Sequence, residues 1–290
     1  MLSRRIETNK SHTNNCFLDY GGLDTPFATN AQGYASINSA HRSTTVYMTD
    51  EIGERAYNLS QTRTPMPKLT IQTLCKEAAI FSASQSKAPE KSLFGVTDGK
   101  AVGTYLEHKF RDYLKSRYAF EEGSLDSDIA FSGLLIDIKA INITQPHSFC
   151  PFKSVRQKVY GLGYSIILLV YDKIDDDKKE TAKFNIWHTL FIEAAKTADY
   201  QMTRNLRQIL ENEGNRDDIL AFLEDMKFPI EDVGIINLAD EIISKPPAQG
   251  YSSTSTALQW QLRYSHAIQR AELRKSVLGL TENLAQKYGL

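Results

Sequence analysis

The chain has 290 residues, 41% of them apolar and 24% charged, with a formal net charge of -1. That length can bury a sizeable core, whereas near-neutral charge excludes a protein that coats nucleic acid through massed lysine and arginine contacts to phosphate. No apolar run is long enough to span a bilayer, and the polar start MLSRRIETNKSHTNN lacks the apolar segment of a signal peptide, so a cytoplasmic protein with no membrane partner is expected.

Residues 1–68 are rich in Ser, Thr, Asn and Gly and only weakly periodic, with a short helix-like piece near Thr49 to Tyr57. This predicts a polar arm or peripheral layer ahead of a main domain at 69–290. Leu69 to Ser84 spaces Leu69, Leu74, Ala78 and Ile80-Phe81 as a helix packed on a core would. Gln85 to Ser92 reads as a loop, and Asp98 as the N-cap of a helix in which Leu106, Phe110 and Leu114 form one stripe with Glu107 beside it. Cys16, Cys75 and Cys150 lack ligand spacing, so neither a disulfide framework nor a zinc site is predicted.

Ser127 to Ala140, SDIAFSGLLIDIKA, carries the chemistry. Two apolar runs, Ile129 to Phe131 and Leu134 to Ile138, flank a Ser132-Gly133 turn signal and predict a hairpin. Asp128 opens the first run; Asp137 and Lys139, two apart in the second, point to one face of a strand. Burying such charges unpaired is costly, so they either neutralise one another or hold something between them. One reading makes Asp137-Lys139 a self-balancing structural pair. The other has Asp128 and Asp137 offer oxygens to a hard divalent cation such as magnesium, with Lys139 facing a water or phosphate beside it.

From about Pro151 a second helix carries Lys153, Arg156, Gln157 and Lys158 ahead of an apolar strand, Ser165 to Tyr171. Asp172 to Lys179, DKIDDDKK, reads as a solvated turn, because a calcium loop needs alternate oxygen ligands and a glycine turn that are missing. Lys183 to Phe191 is its partner strand, with Phe184, Ile186 and His188 on one side and Trp187 and Thr189 on the other. Helix-like spacing returns at Ala198 to Leu210, Asp217 to Met226 and Ser255 to Tyr288, while Ile230 to Ile243 is mixed. Two polar sets in this half, Gln201, Thr203, Arg204 and Arg207, then Gln261, Arg263 and Tyr264, have the side chains that read base edges or grip phosphate. Amphipathic docking of the same helices is the alternative.

Asp128 followed by Asp137-Ile138-Lys139 resembles the acid and acid-x-lysine pattern of the PD-(D/E)xK nuclease superfamily, with Ser127 where that pattern's proline stands. The resemblance covers about Gly99 to Asp172 and includes the order helix, strand, acid-bearing strand, helix, strand. It implies an α/β, restriction-endonuclease-like central mixed sheet flanked by helices, with its core at about 99–191 and a helical DNA-recognition or dimer region at about 192–290. It further implies Mg2+ at Asp128, Asp137 and Ile138, a catalytic set of Asp128, Asp137, Lys139, Glu107 and Gln157, and double-stranded DNA as substrate. A homodimer would give each strand of a palindromic site its own metal centre. A type II restriction enzyme is the expectation, with a repair or transposon nuclease of the same superfamily and a silent DNA-binding or scaffold protein as alternatives.

Overall fold

The structure is a computed structural model that describes residues 15–18, 25–28, 36–37, 44–50, 53–59, 65–123, 129–149, 151–227, 232–254, 261–272, 282–284 and 288. It divides into two compact units, Met1–Pro65 and Met66–Leu290.

Among its described residues the first unit holds five strands: β1 (Asn15–Leu18) and β2 (Thr25–Ala28) pair antiparallel, and β3 (Ser36–Ile37), β4 (Thr44–Asp50) and β5 (Gly53–Leu59) form a three-stranded antiparallel sheet. The helix-like piece expected near Thr49 to Tyr57 is therefore a hairpin. Thr44, Thr45, Val46 and Tyr47 favour extended backbone, and the pairing of Asp50 with Gly53 closes the hairpin's end.

In the second unit, α1 (Ile71–Gln85) starts just after the expected Leu69, because Thr70 and Thr73 cap each other's backbone at its N-terminus. It buries Leu74, Ala78 and Phe81. The expected loop after it contains a short strand, β6 (Pro89–Glu90), and a 3-10 turn at Lys91–Leu93. Glu90 makes that short strand worthwhile: its carboxylate accepts from Gln85 Nε2 and Tyr105 Oη and pairs with Lys109, tying three elements together. α2 (Gly99–Lys115) is capped by Asp98, which accepts from Lys100 N at 2.9 Å, and it buries Val102, Leu106, Phe110 and Leu114.

The remaining elements are β7 (Ile136–Asn142), β8 (His147–Phe149), α3 (Val155–Tyr160), β9 (Ser165–Asp176), β10 (Thr181–Ile192), α4 (Tyr200–Glu211), α5 (Arg216–Asp225), α6 (Asp232–Ser244), β11 (Gln261–Arg263), α7 (Ser265–Glu272) and β12 (Glu282–Asn283). The central sheet runs β12-β10-β9-β7, with β6 on β10; β7 and β9 are parallel and the other pairs antiparallel. This is the mixed α/β sheet that the resemblance implies. β9 is buried on both faces: Ile167, Leu169 and Tyr171 enter the core under α1 and α2, while Ile166, Leu168 and Val170 enter a second core shared with Leu262, Tyr264 and α7. A third cluster binds α3 to α6 through Val159, Leu206, Ile219, Leu223 and Ile242.

Several elements differ from the sequence reading. Phe131 and Ile136 exchange backbone hydrogen bonds of 2.9 and 3.3 Å around a 3-10 turn at Ser132–Leu134, and Leu135 takes a left-handed φ of 52°. The hairpin is thus reduced to one bridge, because four residues fill the turn. β9 continues through Asp176, since the charged end of an antiparallel ribbon can project into water. A bulge between Ile186 and His188 leaves Trp187 56% exposed and reverses the face parity of β10. Phe184 and Ile186 pack in the α1 core, yet beyond the bulge Thr189 bonds Ser82 of α1, and His188 lies by Glu272 of α7, on the opposite face. The mixed segment after Ile230 is the helix α6, and Gln261–Arg263 is a strand on β8 instead of part of a long helix.

Candidate active site

The parallel register fixes where the charges go. Asp137 sits opposite Ile166 and Lys139 opposite Leu168, so both project into the core where β9 buries aliphatic side chains. Ile136, Ile138 and Ala140 project to the other face, into the α1–α2 core. Asp137 is 5% exposed, and Lys139 Nζ lies 2.7 Å from its Oδ2. The pairing of Asp137 and Lys139 on one face is as the alternation predicts.

Glu107 reaches this pair from α2. The backbone of Ala140 faces away from β9, and its N–H donates to Glu107 Oε1 at 2.8 Å. By alternation the carbonyl of Ile138 faces the same edge. Gly103, one turn before Glu107, permits the approach: a Cβ there would fall 2.7 Å from Ala140 O. Burial pushes the Glu107 carboxyl up to about 7; the charges of Lys139 and Arg111 and the Ala140 N–H pull it back, while the Asp137 charge pushes it further up. Burial pulls Lys139 down, but Asp137 and Glu107 outweigh it and hold the ammonium above its ordinary value. The result is a buried carboxylate, a carboxyl that titrates near neutrality and a firmly charged amine.

Arg111, not singled out by sequence, borders the centre, and Tyr264 reaches it with Ser148, also not singled out, against its hydroxyl. Arg111 lies four after Glu107, a spacing that places the two on one helix face, and its charge lowers the Glu107 pKa. Ser148 Oγ and Tyr264 Oη lie 3.0 Å apart. Tyr264 is fully buried, feels the charges of Lys139, Asp137 and Glu107, and is pushed by burial up to about 12. No periodicity could have joined Tyr264 to Asp137, because the contact depends on β11 adding to β8.

The other predicted positions are distributed as follows. Asp128 lies outside the described residues. Gln157 uses its amide locally, accepting from Lys153 N at 2.6 Å and donating to Leu162 O at 3.5 Å. Gln201 and Arg204 are exposed on α4, and Gln201 donates to Asn205 Oδ1 at 2.9 Å. Arg207 bonds Pro247 O and Glu211 at 3.3 and 3.1 Å. Thr203 is buried; its hydroxyl donates to Asp199 O at 2.7 Å and accepts from Gly250 N at 2.9 Å. Arg263 is exposed on β11, the strand that Gln261 begins, and Tyr264 faces inward as described.

The donor set suits a hard cation. The Asp137 charge raises the cost of ionising Glu107, which a divalent ion would relieve, and the Ile138 carbonyl is a further oxygen on the same edge. Among the described residues no cluster of three or more His, Cys, Asp or Glu side chains marks a closed metal cage, and an open, water-rich site is what magnesium prefers.

A family model described as "Type II restriction enzyme NspV" matches residues 68–281. Type II restriction enzyme NspV of Nostoc sp. is 53% identical over 218 residues, which is 75% of this chain and 99% of that relative. No solved structure matches the chain.

Proposed function

The chain belongs to the type II restriction enzyme NspV family and is a site-specific deoxyribonuclease; from this we propose that Asp137, Lys139 and Glu107, with Asp128, form its hydrolytic centre. One observation carries the assignment: a buried acid and a lysine 2.7 Å apart replace aliphatic residues on a core strand, and a second acid is brought to that strand's edge. A merely structural pair gives no reason for Glu107 to be buried beside it.

The residues divide the work. Lys139, held by Asp137 and kept charged, sits where negative charge grows on a phosphate under attack, and a preorganised charge there lowers the barrier. Asp128, Asp137 and Ile138 would hold Mg2+, which when bound activates water and neutralises phosphate charge. Glu107, anchored by Ala140 N, tunes the centre through its own ionisation near pH 7. Tyr264, itself part of the second core, and Ser148 close the centre on that side and keep its dielectric low.

The substrate is double-stranded DNA, met in the cytoplasm, and the enzyme acts as a homodimer because each strand needs its own centre. Among the described residues no helix is long and apolar enough to cross a membrane. Gln201, Arg204, Arg207, Gln261 and Arg263 are the candidate contacts to the duplex. Thr203 and Tyr264, both buried, act through the fold.

Digestion of a sequenced plasmid with magnesium tests the centre. Wild-type protein should give discrete fragments, and Asp137→Asn should abolish them while melting cooperatively; cleavage by that variant within about tenfold of wild type would remove Asp137 from the centre.

A further inference from the structure

One concave site is formed by residues that the hydrolytic centre does not use. A pocket of about 310 Å³ opens between α4, the 249–251 segment and α7, lined by Tyr200, Arg204, Gln249, Tyr251, His266 and Arg270, with Gln269 at its side. That volume is at the lower end for small-molecule sites, about 300 to 1,000 Å³.

Its frame is prebuilt. Asp199, itself buried, caps α4 by accepting from Met202 N at 2.9 Å, and its other oxygen accepts from Thr254 N and Oγ1 at 3.0 and 2.9 Å. Gln249 Nε2 donates to Tyr200 O and Thr203 Oγ1 at 3.0 and 3.1 Å. Gly250 lies against Ala198 so closely that no Cβ would fit. The rings of Tyr200 and His266 stack with centroids 3.8 Å apart and planes 14° off parallel.

The lining chemistry selects a ligand class. Two guanidinium groups and no carboxylate among the lining residues favour an anion. A stacked aromatic pair favours a planar ring, and burial keeps His266 on the neutral side although Asp199 pulls the other way. Arg270 Nε is buried without a hydrogen-bond partner among the described residues. An anion, a planar ring and a hydrogen-bonding edge together describe a nucleotide. The DNA that the enzyme binds supplies such a group, and α7, which lines the pocket, starts directly after Tyr264, which feels the charges of the centre.

We propose that this pocket takes one nucleotide of the bound DNA strand, its base against the Tyr200–His266 ring pair and its phosphate between Arg204 and Arg270. The inference rests on the restriction-nuclease reading and deepens it: one base of the substrate leaves the duplex stack when the enzyme binds. Extruded bases are held by aromatic stacking and edge contacts, and stacking lost to alanine weakens binding by about tenfold or more.

The test uses the full-length protein, calcium in place of magnesium, and duplexes of the cleaved sequence carrying 2-aminopurine at each position in turn. One position should depart from its duplex fluorescence on binding, and His266→Ala and Arg270→Ala should restore the duplex value there and weaken binding about tenfold. Arg204→Ala, on the exposed face of α4, should weaken binding with no change in melting temperature, which separates loss of contact from loss of fold. If the enzyme binds and cuts DNA while every position keeps its duplex signal, or if the variants leave the departing position unchanged, the pocket assignment is overturned alone. Competition by free deoxyadenosine monophosphate without any change in the duplex would also overturn it, by assigning the pocket to free nucleotide. A wild-type protein that neither binds nor cuts any duplex would overturn the nuclease reading and this inference together.

Discussion

Asp137 and Lys139 stand at strand positions where β9 carries Ile166 and Leu168, so each holds its charge in place of apolar packing. Truncating Lys139 separates catalysis from architecture. Lys139→Ala should lower single-turnover cleavage by about 10²-fold or more while leaving a calcium-supported gel shift within a few-fold of wild type, since one phosphate contact among many changes affinity modestly. If the pair were only structural, the stranded Asp137 carboxylate would cost about 3 to 5 kcal/mol, and melting, binding and cleavage would fail together. Glu107 makes a prediction about pH. Its folded pKa of about 7 lies above the ordinary carboxyl value of 4.5, so between those values the folded chain holds more protons than the unfolded one, and its contribution to stability falls as pH rises through that window. Metal-free Glu107→Gln, which cannot ionise, should match wild type near pH 4.5 and exceed it by on the order of 2 to 3 kcal/mol at pH 8; parallel stability curves for the two proteins would place the carboxyl in a solvated setting. The same variant should cut more slowly and need more magnesium.

At the scale of elements, the site depends on how near α2 can come to β7. Gly103 sets that distance, because a Cβ would meet the Ala140 carbonyl at 2.7 Å. Gly103→Ala should therefore push the helix outward, destabilise the protein by about 1 to 3 kcal/mol and raise the magnesium needed for cleavage as Glu107 leaves Ala140; unchanged melting and an unchanged magnesium midpoint would show that the helix yields without moving the carboxylate. The helix itself was legible, since Asp98 caps it and the Leu106, Phe110 and Leu114 stripe is buried as its spacing requires. So was the shared face of Asp137 and Lys139, which follows from two-residue alternation alone. The β10 bulge was not legible: one extra residue at Trp187 reverses parity without disturbing composition, so His188 and Thr189 exchange their expected faces. Nor could Thr203 and Tyr264 be told from groove-facing residues, because burial of their hydroxyls depends on partners 47 and 116 residues away, Gly250 and Ser148.

For the whole molecule, the family match begins at residue 68, close to the boundary between the two compact units after Pro65. The second unit thus contains everything that the family model matches. A protein comprising Met66–Leu290 should melt cooperatively and cut a plasmid at the same positions as the full chain; altered positions, or a chain that does not fold, would make the first unit part of the recognition machinery. Within the second unit, two packed clusters lie on the two faces of the sheet while the third joins α3 to α6, and the hydrolytic centre occupies the seam between the first two. The Ala140 amide spans that seam in a useful way. Because its N–H donates a hydrogen bond to Glu107, its chemical shift in an isotope-labelled sample follows the carboxyl's charge directly, so a single resonance would register proton loss, cation entry or displacement of the helix without any substrate being present.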